Sequence, residues 1–159
     1  MAEEIKFTQD NLNRIEELRR RYPTSKALTL PVLWIAQDQF GYISTEVMKY
    51  IAGIIDVPYR HILGVVTFYT MFHPHKKGKY HIEVCTNVSC SLRGAEKIVE
   101  QLETKLGIKL GETSNDMKFT LSEVECMGSC GTAPMLAIGE EYYENLTIEK
   151  VDQILASLR

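Results

Sequence analysis

The sequence predicts an α+β chain, grading into α/β in its second half: an N-terminal helical bundle followed by a βαβββα domain. Three observations carry this. Up to Leu63 apolar residues recur every three or four positions between capping residues and prolines; from Tyr80 the spacing changes to strict alternation; and all four cysteines lie in the second half, at or beyond the ends of the predicted strands.

The helical elements follow in order. Thr8 caps a first helix carrying Leu12, Ile15, Leu18 and Tyr22, and Pro23 closes it. A second runs from about Ser25 to Phe40 through Leu28, Val32, Leu33, Ile35 and Ala36, with Gly41 as its stop; Pro31 falls inside, so the helix either begins there or is kinked. Ser44 caps a third with the stripe Val47, Met48, Ile51, Ile54 and Ile55, and Pro58 opens a short fourth through Ile62 and Leu63. The apolar and aromatic run Gly64 to Phe72 fits two roles, a buried joining segment or a partner-docking surface. The polar stretch His73 to Gly78 marks a module boundary, giving domains 1–77 and 78–159.

In the second domain Tyr80, Ile82 and Val84 alternate with His81 and Glu83 in a strand that delivers Cys85. A helix from Ser91 to Leu106, with Ala95, Ile98, Val99, Leu102 and Leu106 on one face, ends at Gly107. The turn-rich Gly111 to Asp116 leads to a strand at about Lys118 to Val124 that delivers Cys126, and a right-handed crossover makes the two strands parallel. Strands at Met135–Ile138 and Glu141–Glu144 form a hairpin around Gly139, and Thr147 caps a last helix with Val151, Ile154, Leu155 and Leu158. This layout is thioredoxin-like, and ligands of such sheets sit at the carboxyl ends of the strands.

Composition narrows the function. At 159 residues, 45% hydrophobic and 25% charged, the chain has the proportions of a globular protein with a core. Its apolar runs, such as Val32 to Ala36, fall far short of the ~18 residues of a membrane span. Met1 to Lys6 has neither a secretory nor a transit signature, so a reducing cytoplasm is expected, where paired cysteines are more often metal ligands or redox groups than disulfides. A net charge of −3 gives no case for nucleic acid or anionic lipid. Up to Gly78 there are 10 Lys and Arg against 8 Asp and Glu, and from Lys79 onward 8 against 13. The acidic second half is either ordinary solvated surface or a host that lowers the potential of an anionic cluster.

The cysteines read Cys85-x₄-Cys90 and Cys126-x₃-Cys130. Two close pairs on separate loops can bring four thiolates to one point, the donor set of a [2Fe-2S] cluster or a structural zinc. Pairing neighbours puts Cys85 with Cys90 and Cys126 with Cys130 on the two irons. Short spacers leave backbone N–H groups free to bond sulfur, Gly128 and Gly131 offer close approach and positive φ, and a helix start just after Cys90 would stabilise its thiolate. Zinc tolerates the x₃ spacing well and the x₄ spacing less well; a thiol-disulfide enzyme would want Cys-x-x-Cys; inert thiols would not cluster. These alternatives stand open on spacing alone. His61, His73, His75 and His81 lack metal-ligand spacing, Glu123 and Glu125 read as structural, no nucleotide loop of the G-x-G-x-x-G or G-x-x-x-x-G-K type is present, and Pro134 is a candidate for a cis bond.

Five stretches together, Leu30 to Gly41, Gly64 to Tyr69, Val84 to Cys90, Gly111 to Thr113 and Val124 to Met135, make the chain resemble the NuoE-type subunit family of respiratory NADH:quinone oxidoreductase, complex I. The resemblance covers nearly the whole chain. It implies a thioredoxin-like [2Fe-2S] ferredoxin domain behind a helical domain that docks on a flavoprotein subunit holding FMN and NADH. The family's ligands fall on Cys85, Cys90, Cys126 and Cys130, and its cluster exchanges single electrons near the flavin, off the main path to quinone, in a complex peripheral to the inner membrane. The hydride chemistry belongs to the partner; no NADH, flavin or quinone site is evident in this chain. The same module serves NAD-linked hydrogenases and formate dehydrogenases, and the alternative of another class is a zinc-stabilised Cys₄ interaction module.

Overall fold

The structure, a computed structural model describing residues 5–158, divides into two compact units, Met1–Lys76 and Lys77–Arg159. Four helices build the first: α1 (Gln9–Arg21), α2 (Thr29–Phe40), α3 (Thr45–Ile55) and α4 (Tyr59–Phe68). Hydroxyl side chains cap the first and third of them. The Thr8 hydroxyl accepts the Asn11 N–H at 3.3 Å and the Ser44 hydroxyl accepts that of Val47 at 3.2 Å, while Pro58 precedes α4. Pro31 is the third residue of α2, in the first turn where its missing N–H has no intrahelical role, so the helix begins near it. A short 3₁₀ turn, Ser25–Leu28, fills the remainder of the longer helix read from the sequence.

The core of this unit is Ile15, Leu28, Val32, Leu33, Ile35, Ala36, Ile43, Val47, Met48, Ile51, Ile55, Ile62, Val66 and Phe72, with Phe7 and Ala52. Burying a side chain of this size is worth about 1.5–3 kcal/mol. Two glutamines of α2 tie both ends of this unit to its core: Gln39 accepts the Thr8 N–H at 3.0 Å and donates to the Lys6 carbonyl at 2.8 Å, and Gln37 accepts the His73 N–H at 2.7 Å and donates to the Met71 carbonyl at 2.8 Å. The run Gly64 to Phe72 splits between its two readings. Ile62 and Val66, one helical turn apart, face inward and Phe72 is buried, but Phe68 is 76% exposed and Tyr69 and Met71 also stand out.

The second unit is a sheet in the order β2-β1-β3-β4, from β1 (Tyr80–Cys85), β2 (Phe119–Val124), β3 (Leu136–Ile138) and β4 (Glu141–Tyr143). β1 and β2 are parallel, in register from Tyr80 opposite Phe119 to Cys85 opposite Val124, and β3 lies antiparallel to both β1 and β4. Gly78 passes so close to β2 that an added Cβ would meet the Phe119 carbonyl carbon at 2.7 Å, and its N–H bonds the Thr120 hydroxyl at 2.7 Å. Ile82, Val84, Leu121 and Leu136 of the sheet pack with Ile98, Val99 and Leu102 of α6 (Ala95–Leu106) and with Leu146, Val151 and Ile154 at and within α7 (Ile148–Ser157).

Here the structure corrects the sequence reading. The helix expected from Ser91 to Leu106 is two helices, α5 (Val88–Leu92) and α6, separated at Arg93 and at Gly94, whose φ of 92° no right-handed helix accommodates. Cys90 therefore lies within a helix that the side-chain carbonyl oxygen of Asn87 caps, not just before one. The Ala133–Pro134 peptide is cis.

Candidate metal centre

All four cysteines are free thiols at or beyond the carboxyl ends of β1 and β2: Cys85 ends β1, Cys90 lies in α5, and Cys126 and Cys130 lie on the loop after β2. Parallel pairing sets Cys85 beside Val124, so the chain leaving β1 into α5 and the chain leaving β2 toward Cys126 emerge side by side. Cys85 and Cys90 are buried, packed with Ala95, Ala133 and Met135 and against Val124 and Met127, whereas Cys126 and Cys130 face solvent. Thr86, just past β1, also donates to the Glu123 carboxylate of β2 at 3.3 Å.

The electrostatics differ from thiol to thiol. Burial pushes the Cys85 thiol up, but the backbone N–H groups of Asn87 and Met127 and the thiol of Cys90 together outweigh it and leave Cys85 below the ordinary value. Cys90 is pushed up to about 11, by burial first and then by the hydrogen bond and charge of Cys85, with Cys130 adding to the repulsion against one favourable N–H from Met135. The thiolate-stabilising helix start expected just after Cys90 is absent, because Cys90 lies inside α5. On the second loop the Gly128 N–H reaches the Cys126 Sγ at 3.4 Å.

The Gly128 N–H is in hydrogen-bond geometry to sulfur, and the main chain of Met127, on the second loop, lowers the Cys85 thiol on the first. The structure brings Cys85 and Cys90 together and puts Cys130 within electrostatic reach of Cys90. Among the described residues no group of three or more His, Cys, Asp or Glu side chains is already placed around a single metal ion. Four cysteines, with a backbone N–H on the sulfur of Cys126, are a donor chemistry that fits an iron-sulfur cluster.

Of the two loop glycines, only Gly128 uses its freedom, at φ 75°; Gly131 has no positive φ. The histidines lie elsewhere: His61 meets the Thr29 hydroxyl at 3.0 Å and His81 the Ser122 hydroxyl at 2.9 Å. Sequence reasoning missed Glu144, just past β4, whose carboxylate accepts hydrogen bonds from the hydroxyls of Ser129 and Thr132 on the second cysteine loop. It also missed Met135, since any residue type can offer an N–H; Asn87 did carry a signal, being a favoured capping residue.

The fold and the cysteine loops define a class, and comparison with known proteins identifies it: the chain belongs to the thioredoxin-like [2Fe-2S] ferredoxin family, whose model matches residues 15–159. Its cofactor is a [2Fe-2S] cluster. Within that class the chain is 44% identical to the E subunit of the NADH-quinone oxidoreductase of Rickettsia conorii (strain ATCC VR-613 / Malish 7), over 96% of this chain and 93% of that one. It is 41% identical to the E 2 subunit of the NADH-quinone oxidoreductase of Rhizobium meliloti (strain 1021), over 91% and 86%. Among solved structures, an NAD+-reducing [NiFe]-hydrogenase in the H2-reduced state shares the fold with a TM-score of 0.73 at 18% identity, over 86% of this chain but only 23% of that much longer one.

Proposed function

We propose that this chain is the electron-transfer subunit of an NADH:quinone oxidoreductase, and that Cys85, Cys90, Cys126 and Cys130 hold its [2Fe-2S] cluster. The observation that supports the ligand assignment is the register of the parallel pair: Cys85 lies opposite Val124, two residues before Cys126, so the segments carrying the two cysteine pairs leave the sheet side by side. When bound, such a cluster takes and returns one electron at a time.

The chain's own residues supply the setting. N–H groups of Asn87, Met127, Gly128 and Met135 offset negative charge on sulfur. Burial of Cys85 and Cys90 keeps water from one side, while exposed Cys126 and Cys130 bring the other to the surface where a redox partner can approach. That partner is a flavoprotein subunit carrying FMN and the NADH site, within a complex at the cytoplasmic side of the membrane. No helix among the described residues is long and apolar enough to cross a membrane. Residues 1–77 form the docking domain and 78–159 the ferredoxin domain.

Visible absorption and paramagnetic resonance test this. Protein purified without oxygen should be coloured, and one-electron reduction should give a paramagnetic signal, whereas d¹⁰ zinc gives neither. A colourless protein with stoichiometric zinc would refute the redox role. Cys126→Ser should disturb the cluster and its loop; an unchanged visible spectrum would remove Cys126 from the ligand set.

A further inference from the structure

We infer that Glu144 is a positioning residue for the metal centre: its carboxylate is the anchor that fixes the turn carrying Cys130. The inference rests on the ligand assignment above and deepens it.

Cys130 opens a 3₁₀ turn, Cys130–Thr132, on an exposed loop, closed within itself by the Thr132 N–H and hydroxyl on the Ser129 carbonyl at 3.1 and 3.2 Å. A further restraint comes from the segment joining β4 to α7. Glu144 Oε1 accepts from the hydroxyl of Ser129, one residue before Cys130, and at 2.6 Å from that of Thr132, two residues after it. The two hydroxyls also lie 2.7 Å apart, so hydroxyls on both sides of the cysteine converge on one oxygen. The Asn145 N–H bonds the Thr132 carbonyl at 2.6 Å and the Leu146 N–H the Pro134 carbonyl at 3.0 Å, which fastens the same stretch by its main chain. Asn145, at φ 48°, turns the backbone there. Lys150 of α7 donates to the Glu144 carbonyl at 2.5 Å, and Thr147 caps α7 through the Lys150 N–H at 3.2 Å. A line of hydrogen bonds therefore runs from α7 through Glu144 to both sides of Cys130.

A carboxylate suits this task because it only accepts, and Ser129 and Thr132 can both donate to it. Its hydrogen bonds with them hold its pKa below the ordinary carboxylate range, in keeping with an ionised acceptor at neutral pH.

The test uses the full chain with its cluster assembled from ferrous iron and sulfide, reading the rate of iron loss to a chelator and the shape of the reduced paramagnetic signal. Glu144→Ala should lose iron about fivefold faster, the scale of one hydrogen bond, and broaden the signal. Glu144→Gln, which keeps an acceptor oxygen, should restore the native line shape and most of the rate. Ser129→Ala with Thr132→Val should match Glu144→Ala, and adding Glu144→Ala to that pair should cause no further loss, since the three act as one unit. If Glu144→Ala does not fold, the hydroxyl pair and Glu144→Gln carry the same comparison. A native rate and line shape in Glu144→Ala or in the hydroxyl pair, or additive effects in the triple variant, would overturn the anchor while leaving the ligand assignment intact. A native chain that assembles no reducible cluster would instead sink that assignment, and this inference with it.

Discussion

Gly128 turns the second cysteine loop at a φ of 75°, where an L side chain is strained by about 1–2 kcal/mol. Gly131, three residues on, carries no such constraint, and an added Cβ there meets no atom within 4 Å. Gly128→Ala should therefore destabilise the metal-free protein by about 1–2 kcal/mol in urea unfolding, and Gly131→Ala by less than about 0.5 kcal/mol. Equal losses at both positions would refute the distinction. The sequence treats these two glycines alike, because a glycine announces permission for positive φ and not its use. The cysteines are legible for the opposite reason: sulfur in two close pairs is a chemical statement that needs no geometry. What surrounds them is not legible. Met127 and Met135 act through backbone groups common to every residue but proline, and the contact of Glu144 with Ser129, made across the hairpin the sequence does predict, is one no local pattern encodes.

Elements are legible where a cap and a period agree. Thr8, Ser44 and Thr147 each cap the helix expected of them, and alternation from Tyr80 to Val84 gives β1. The apolar face from Ala95 to Leu106 is the one expected, but its phase runs back smoothly through Ser91, so the interruption at Gly94 leaves no mark on the hydrophobic pattern. The far end of α6 offers a pH test. Glu103 accepts from Lys109 Nζ at 2.7 Å and from the Leu110 N–H at 3.1 Å, and these contacts, Lys109 first, hold its carboxyl below the usual range. The folded state thus binds this proton less readily than the unfolded chain. Its stabilisation is complete above the ordinary glutamate pKa and is lost as pH falls through the lower folded value. The stability gap between the native chain and Glu103→Gln should be widest near neutrality and should narrow as pH falls below the ordinary glutamate range. A gap of constant size across that range in pH-dependent thermal melts would dismiss the ionic contribution.

At the scale of the whole molecule the chain has separate cores. Every residue of the helical core lies at or before Phe72, and every buried residue of the sheet unit and its cysteine cluster lies at or after Ile82. The second unit starts at Lys77 and contains all four strands, both cysteine loops and the helices that cover the sheet. A fragment of residues 77–159 should therefore fold cooperatively without the helices, a small domain of the size that still buries most of its apolar surface. Assembled with iron and sulfide, it should show the visible spectrum of the full chain. The helical unit leaves Phe68 76% exposed, with Trp34 at 43% and Met71 at 39%. If that surface docks the flavoprotein, the fragment will bind it far more weakly than the full chain does, and Phe68→Ser in the full chain should lower affinity by about tenfold or more, the loss of one aromatic anchor. Calorimetry or co-purification with the flavoprotein subunit measures both. A fragment that binds as tightly as the full chain would move the docking role to the ferredoxin unit, and one that stays unfolded would show that its core needs the helices after all.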